Sequence, residues 1–125
     1  MLLSNRVALI TGGATGMGRA TAFLFAEEGC DVAIADIKLK EANETINQVK
    51  EKGRKGLAIE CDVSNSSQVK ETVKKVISKF GKIDILVNFL SFSNRLMPRV
   101  LGFVSFVLYI YLFRDLLRQA KLSRI

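Results

Sequence analysis

The chain has no histidine and no tryptophan, and its 125 residues include one proline, two cysteines and two tyrosines. Without histidine, imidazole acid/base catalysis and the commonest nitrogen ligand for transition metals are both excluded. Cys30 and Cys61 form no C-x-x-C motif, so neither a metal site nor a disulfide framework is expected, and two buried, reduced thiols are the reading that follows. With little proline and no low-complexity tract, a chain that is 49% hydrophobic and 25% charged should fold around a single core. The start, Met1-Leu2-Leu3-Ser4-Asn5-Arg6, leads into a run too short for a secretory signal and lacks a cleavage site, so a cytoplasmic location is expected.

Negative charge is scarce at one end only. Residues 1–94 carry 13 Lys and Arg against 11 Asp and Glu, whereas in residues 95–125 Arg95, Arg99, Arg114, Arg118, Lys121 and Arg124 face Asp115 alone. The net charge of +7 therefore resides mostly in a segment. A basic tail on a nearly neutral fold predicts no nucleic-acid partner.

Val7-Ala8-Leu9-Ile10 is a continuous apolar run closed by Thr11-Gly12-Gly13, the pattern of a strand buried on both faces. Residues 16–28 suit a helix closed by Gly29, and residues 31–36 a second strand. Leu39, Ala42, Ile46 and Val49 mark one face of a second helix that ends at Gly53, and residues 57–61 make a third strand. Asn65 and Gln68 form a variant capping box ahead of a third helix striped by Val69, Val73, Val76, Ile77 and Phe80 and closed by Gly81. Residues 84–88 are a fourth strand. Strands alternating with helices predict a Rossmann-type α/β fold: a four-stranded parallel sheet, the N-terminal half of a doubly wound domain, over residues 1–88. After Asn88 the alternation stops, and residues 89–125 read as an atypical hydrophobic and basic tail, expected to be helical.

Thr11-Gly12-Gly13-Ala14-Thr15-Gly16-Met17-Gly18 places a G-x-x-x-G-x-G turn between the first strand and helix. Glycines permit positive φ and close backbone approach, and the helix start offers unpaired N–H groups at the positive end of a dipole. Such a turn suits a pyrophosphate, although glycine turns also close ordinary β-α connections. Asp36 ends the second strand 18 residues past Gly18, close to where this fold places the acid that holds an adenosine ribose. A 2′-phosphate about 4 Å from that carboxylate would be repelled by about 4 kcal/mol per unit charge at an effective dielectric of about 20. NAD is therefore expected in preference to NADP, with Lys38 near enough in sequence to blunt the difference.

Thr11-Gly12-x-x-x-Gly16-x-Gly18, Asp36, Asp62-Val63 and the strand ending in Asn88 together resemble the short-chain dehydrogenase/reductase superfamily, over residues 4–88. The resemblance implies an oxidoreductase fold whose turn (Thr11, Gly12, Gly16, Met17, Gly18) binds the pyrophosphate of a nicotinamide dinucleotide. It implies that Asp62 contacts adenine with help from the Val63 backbone, and that Asn88 borders the cofactor. Asp62 also reads as a solvated charge at the start of the following helix, and Arg19 as a surface side chain. NADP-using members often carry a basic residue at the positions of Thr15 or Ile37, and neither is basic here.

The resemblance breaks at Phe89. The family's N-N-A-G becomes Asn88-Phe89-Leu90-Ser91, and its catalytic Tyr-x-x-x-Lys is missing, since Phe113 follows Tyr109 and Asp115 follows Tyr111 at that spacing. No catalytic residue is assigned, and negligible activity is expected of this chain alone. Residues 100–113 are uncharged but would make a helix of about 21 Å, short of the roughly 30 Å hydrocarbon thickness. With Leu116, Leu117, Ala120 and Lys121, residues 100–125 could instead lie in a membrane interface or bind a partner, which is the alternative to the cofactor reading. A further reading is that residues 89–125 are not family sequence, the family frame being lost after Asn88. The fourth strand, interior in the complete fold, is also an edge through which copies could self-associate.

Overall fold

The computed structural model describes residues 1–89. Seven elements follow one another there: β1 (Val7–Thr11), α1 (Gly16–Glu27), β2 (Asp31–Asp36), α2 (Leu39–Glu51), β3 (Gly56–Glu60), α3 (Ser66–Phe80) and β4 (Ile85–Asn88). The expected alternation is present, with ends that shift by a residue: β1 runs on through Thr11, β3 spans Gly56–Glu60 and leaves out Cys61, and β4 begins after Asp84. Apart from Phe89, the expected tail lies outside the described residues, and with it both tyrosines and the interfacial reading of residues 100–125. Among the described residues no helix is long and apolar enough to cross a membrane.

All strand pairs are parallel and the order is β3-β2-β1-β4. That is the first part of the Rossmann strand order. Right-handed crossovers place α1 and α2 on one face of the sheet, and the reversed crossover from β3 to β4 sends α3 to the other. Covered on both faces, the central strands are buried along all five residues of β1, apolar but for Thr11, and along the apolar Val32, Ala33, Ile34 and Ala35 of β2. Ile10, Val32 and Ile34 meet Ala22 and Ala26 of α1 and Ala42, Ile46 and Val49 of α2 in one buried cluster. The buried face of α1 is made of Gly18, Ala22 and Ala26, small residues that let its axis approach the sheet closely. β4 is only partly buried at its four positions, and among the described residues it pairs with β1 alone.

Asp84 joins the starts of β1 and β4. Its carboxylate accepts the Val7 N–H at 2.8 Å, and its own N–H donates to the Val7 carbonyl at 2.9 Å. Lys82 lies 2.9 Å and Arg6 3.8 Å from the same carboxylate. Desolvation pushes its pKa upward, but the bonds from Lys82 and Val7 and the charges of Lys82 and Arg6 outweigh it, holding the group below the usual carboxylate range.

At the start of α3, Asn65 accepts the N–H groups of Ser67 and Gln68 at 3.0 and 3.2 Å, as a capping residue should. The returning arm of the capping box differs from expectation. The Asn65 N–H is already satisfied by the Asp62 carbonyl at 3.0 Å, so Gln68 Oε1 reaches further back and accepts the Asp62 N–H at 2.7 Å. The loop that carries Asp62 and Val63 is thereby tied to α3.

Candidate functional site

The strand ends set the geometry. Register places Thr11 beside both Ala35 and Asn88, and Asp36 beside Glu60. The sequence-predicted residues therefore gather along the carboxyl edge of the sheet, where the strand order changes direction between β1 and β4. Open α/β sheets bind ligands at this edge and at this switch point.

Two glycines of the turn are required by close approach to backbone atoms. A Cβ on Gly12, whose φ is +71°, would lie 1.9 Å from the Phe89 carbonyl oxygen. The chain passes the end of β4 at this point, and the Phe89 N–H donates to the Thr11 carbonyl at 2.9 Å. A Cβ on Gly18 would lie 2.1 Å from the Gly12 carbonyl oxygen, so its absence lets the first turn of α1 rest against the glycine loop. Gly16 is different: its φ is +58°, yet nothing lies within 4 Å of the Cβ it lacks. Its surroundings are open, and the neighbouring Met17 is 73% exposed.

Thr15 caps α1 through its extended backbone but makes no side-chain hydrogen bond to the helix, and the first turn of α1 holds no acidic residue. The leading N–H groups thus meet neither a capping oxygen from Thr15 nor a competing carboxylate on their own turn. A helix start in this state is suited to an anion.

Asp36 lies against this turn. One carboxylate oxygen accepts the Ala14 N–H at 3.2 Å and the other accepts the Lys38 N–H at 3.0 Å. The Ala14 carbonyl is held from the opposite side by the hydroxyl of Thr45 on α2, at 3.2 Å. Thr45 is absent from the sequence-predicted set. The available signal was a polar residue at spacing three from Ala42 and four from Val49, on the buried stripe of α2. At the other end of the site, the Thr11 hydroxyl donates to Asn88 Oδ1 at 2.8 Å and joins the ends of β1 and β4.

Asp62 makes its hydrogen bonds within its own loop and to the start of α3. One of its oxygens, Oδ1, accepts the Ser64 hydroxyl at 2.7 Å and the Ser64 N–H at 3.0 Å, and these bonds lower its pKa. Val63 is half-buried beside it. Arg19 lies over the Phe23 ring, 5.4 Å from its centroid, one helical turn along α1. Cys30 and Cys61 are free and buried; desolvation pushes the Cys30 thiol up to about 11 and raises that of Cys61. Neither is poised as a nucleophile.

A groove of about 570 Å³ runs beside β3, lined by Leu39, Leu57, Ala58, Ile59, Glu60, Gln68 and Lys75. It contains none of the sequence-predicted site residues. The glycine turn is the better candidate because a helix start and a carboxylate converge there at an open strand edge.

Comparison with known proteins agrees with this geometry. The family model for short chain dehydrogenases matches residues 6–95, continuing past the break seen at Phe89. A subunit of (2S)-[(R)-hydroxy(phenyl)methyl]succinyl-CoA dehydrogenase from Thauera aromatica is 46% identical over 88 residues, which are 70% of this chain and 36% of that protein. The chain thus spans about a third of the length of that relative. A short-chain dehydrogenase/reductase homolog from Bacillus subtilis is 35% identical over 97 residues, 77% of this chain and 89% of that one. Among solved structures, a short chain dehydrogenase from Mycobacterium paratuberculosis bound to NAD superposes with a TM-score of 0.66 at 29% identity, covering 69% of this chain and 36% of that one. On the strength of its turn, its strand order and these matches, the chain belongs to the short chain dehydrogenase family.

Proposed function

We propose that this chain is a dinucleotide-binding unit of the short-chain dehydrogenase/reductase type, that it takes NAD in preference to NADP, and that it has no turnover of its own. The observation that carries the reading is the Asp36 carboxylate bonded to the glycine turn at Ala14. A carboxylate offers about four acceptor positions. Two are used by the Ala14 and Lys38 N–H groups, which leaves capacity for a pair of ribose hydroxyls. The N–H groups of Gly16, Met17 and Gly18 would receive the pyrophosphate, with Thr11 and Gly12 shaping the turn behind them. Asp62 would meet adenine through the oxygen not engaged by Ser64, with Val63 alongside, and Asn88 would border the cofactor from β4. The NAD bound to the Mycobacterium relative supports this assignment.

Preference for NAD follows from the Asp36 charge, which repels a 2′-phosphate, and from the absence of a basic residue at Thr15 and Ile37. When bound, the cofactor supplies hydride-transfer chemistry. This chain has neither Tyr-x-x-x-Lys nor histidine to move the accompanying proton, so it binds and orients without reducing a carbonyl. Titration of the full chain with NADH, followed by nicotinamide fluorescence, tests the reading. A saturable signal that is weaker for NADPH, with no oxidation of NADH by added carbonyl compounds, is expected. No saturation at millimolar cofactor would overturn it.

A further inference from the structure

Three polar side chains are fully buried among the described residues: Thr11, Thr45 and Thr72. Thr11 bonds to Asn88, and Thr72 donates to the Gln68 carbonyl one turn back in its own helix at 2.8 Å, an ordinary bond for a helical threonine. Thr45 bonds to the backbone of the glycine turn itself. Its hydroxyl lies 3.2 Å from the Glu41 carbonyl one turn back, and equally 3.2 Å from the Ala14 carbonyl, 31 residues away in the glycine turn.

Ala14 is fully buried, and among the described residues Thr45 is the donor to its carbonyl. A valine would fill the same space on this face of α2, so packing alone does not call for the hydroxyl. The partnerless carbonyl of a buried residue does. Asp36 holds the Ala14 N–H. The two peptide units flanking Ala14 are therefore tied separately, one to the end of β2 and one to the middle of α2. These are the last peptide units before the Thr15 cap and the open Gly16, so their planes direct the N–H groups that follow.

We propose that Thr45 is a positioning residue for the dinucleotide-binding turn: its buried hydroxyl fixes the Ala14 carbonyl and, with Asp36 on the Ala14 N–H, sets the orientation of the turn's donors. The proposal rests on the cofactor reading above for its consequence, but the clamp itself can be measured without cofactor.

The test compares Thr45→Val, which removes the hydroxyl and keeps the shape, with Thr45→Ser, which keeps the hydroxyl. Val49→Ala, a cavity one helical turn along α2, controls for lost stability. NADH affinity is read by fluorescence well below the unfolding temperature, and amide hydrogen exchange at residues 12–18 is read by NMR without cofactor. Thr45→Val should weaken NADH binding and speed exchange in the turn by about tenfold, the equivalent of one hydrogen bond. Thr45→Ser should stay within about twofold of wild type, and Val49→Ala should lose stability without either change. Wild-type exchange in the turn of Thr45→Val, or the same loss in Val49→Ala, would overturn the proposal. If the wild-type chain binds no NADH, the cofactor reading fails and the exchange rates alone decide the clamp.

Discussion

Replacing Gly18 by alanine separates the tight glycine of the turn from the open one. The new methyl would sit 2.1 Å from the Gly12 carbonyl oxygen and 2.7 Å from its carbon, both backbone atoms that no rotamer change can move aside. Non-bonded heavy atoms settle about 3.5–4.0 Å apart, so α1 and the turn must part by more than about 1 Å. Overpacking of this kind costs about 1–3 kcal/mol, and contact with backbone argues for the upper end. Alanine returns about 1 kcal/mol as the better helix former. The net loss is about 2 kcal/mol, or roughly 10 °C in Tm for a domain of this size. Gly16→Ala meets nothing within 4 Å and bears only the strain of its positive φ, about 1 kcal/mol. Urea unfolding followed by circular dichroism should rank wild type above Gly16→Ala and Gly16→Ala above Gly18→Ala, with NADH binding weakened in both. If Gly18→Ala matches wild type, or Gly16→Ala is the less stable of the two, the assignment of tight and open positions is wrong.

Other perturbations probe the site and its frame. Asp36→Asn removes the charge that repels a 2′-phosphate, so the ratio of NADH to NADPH affinity should fall by at least about tenfold in a paired fluorescence titration; an unchanged ratio places the selectivity elsewhere. The same change leaves one oxygen to serve two N–H groups and should cost about 1 kcal/mol of stability. Asp84 has its pKa lowered in the folded chain, so its contribution is present above the unfolded value of about 3.9 and is lost as pH falls through the folded one. Asp84→Asn should therefore unfold about 1–2 kcal/mol more easily at pH 7, and urea titrations of the two chains should converge in acid. The Cys30 thiol, pushed up to about 11, favours folding while it stays neutral, and that stability declines as pH rises from about 8.5 toward 11. Iodoacetamide should label the folded chain slowly at pH 9 and the urea-unfolded chain fast.

Much of the fold is legible in the sequence because both faces of the sheet are covered. Val7-Ala8-Leu9-Ile10 is apolar without interruption for that reason, and the glycines after each helix mark where the chain turns back. The strand ends were harder to read. Thr11 looks like turn sequence, yet it pairs with Ala35 and Asn88 before the chain leaves the sheet. In the site, spacing alone brings out Gly12, Gly16, Gly18 and Asp36, since each sits at a fixed distance from a strand end. What spacing does not carry is a contact between elements far apart in the chain. The bond from Thr45 to Ala14 depends on how α2 lies against the turn, and the reach of Gln68 to Asp62 depends on which donor the loop has already satisfied. Likewise, glycine at position 12 signals a turn, but its close approach to Phe89 exists only once β4 has docked beside β1.

The central claim, that the glycine turn and Asp36 form a dinucleotide site, is tested most directly by titrating the isotopically labelled chain with NAD and following its backbone amides by NMR. Saturable shifts are expected at residues 12–18 and at Asp36, with smaller ones near Asp62 and Asn88. Shifts confined to the groove beside β3, or none at several millimolar NAD, would contradict it.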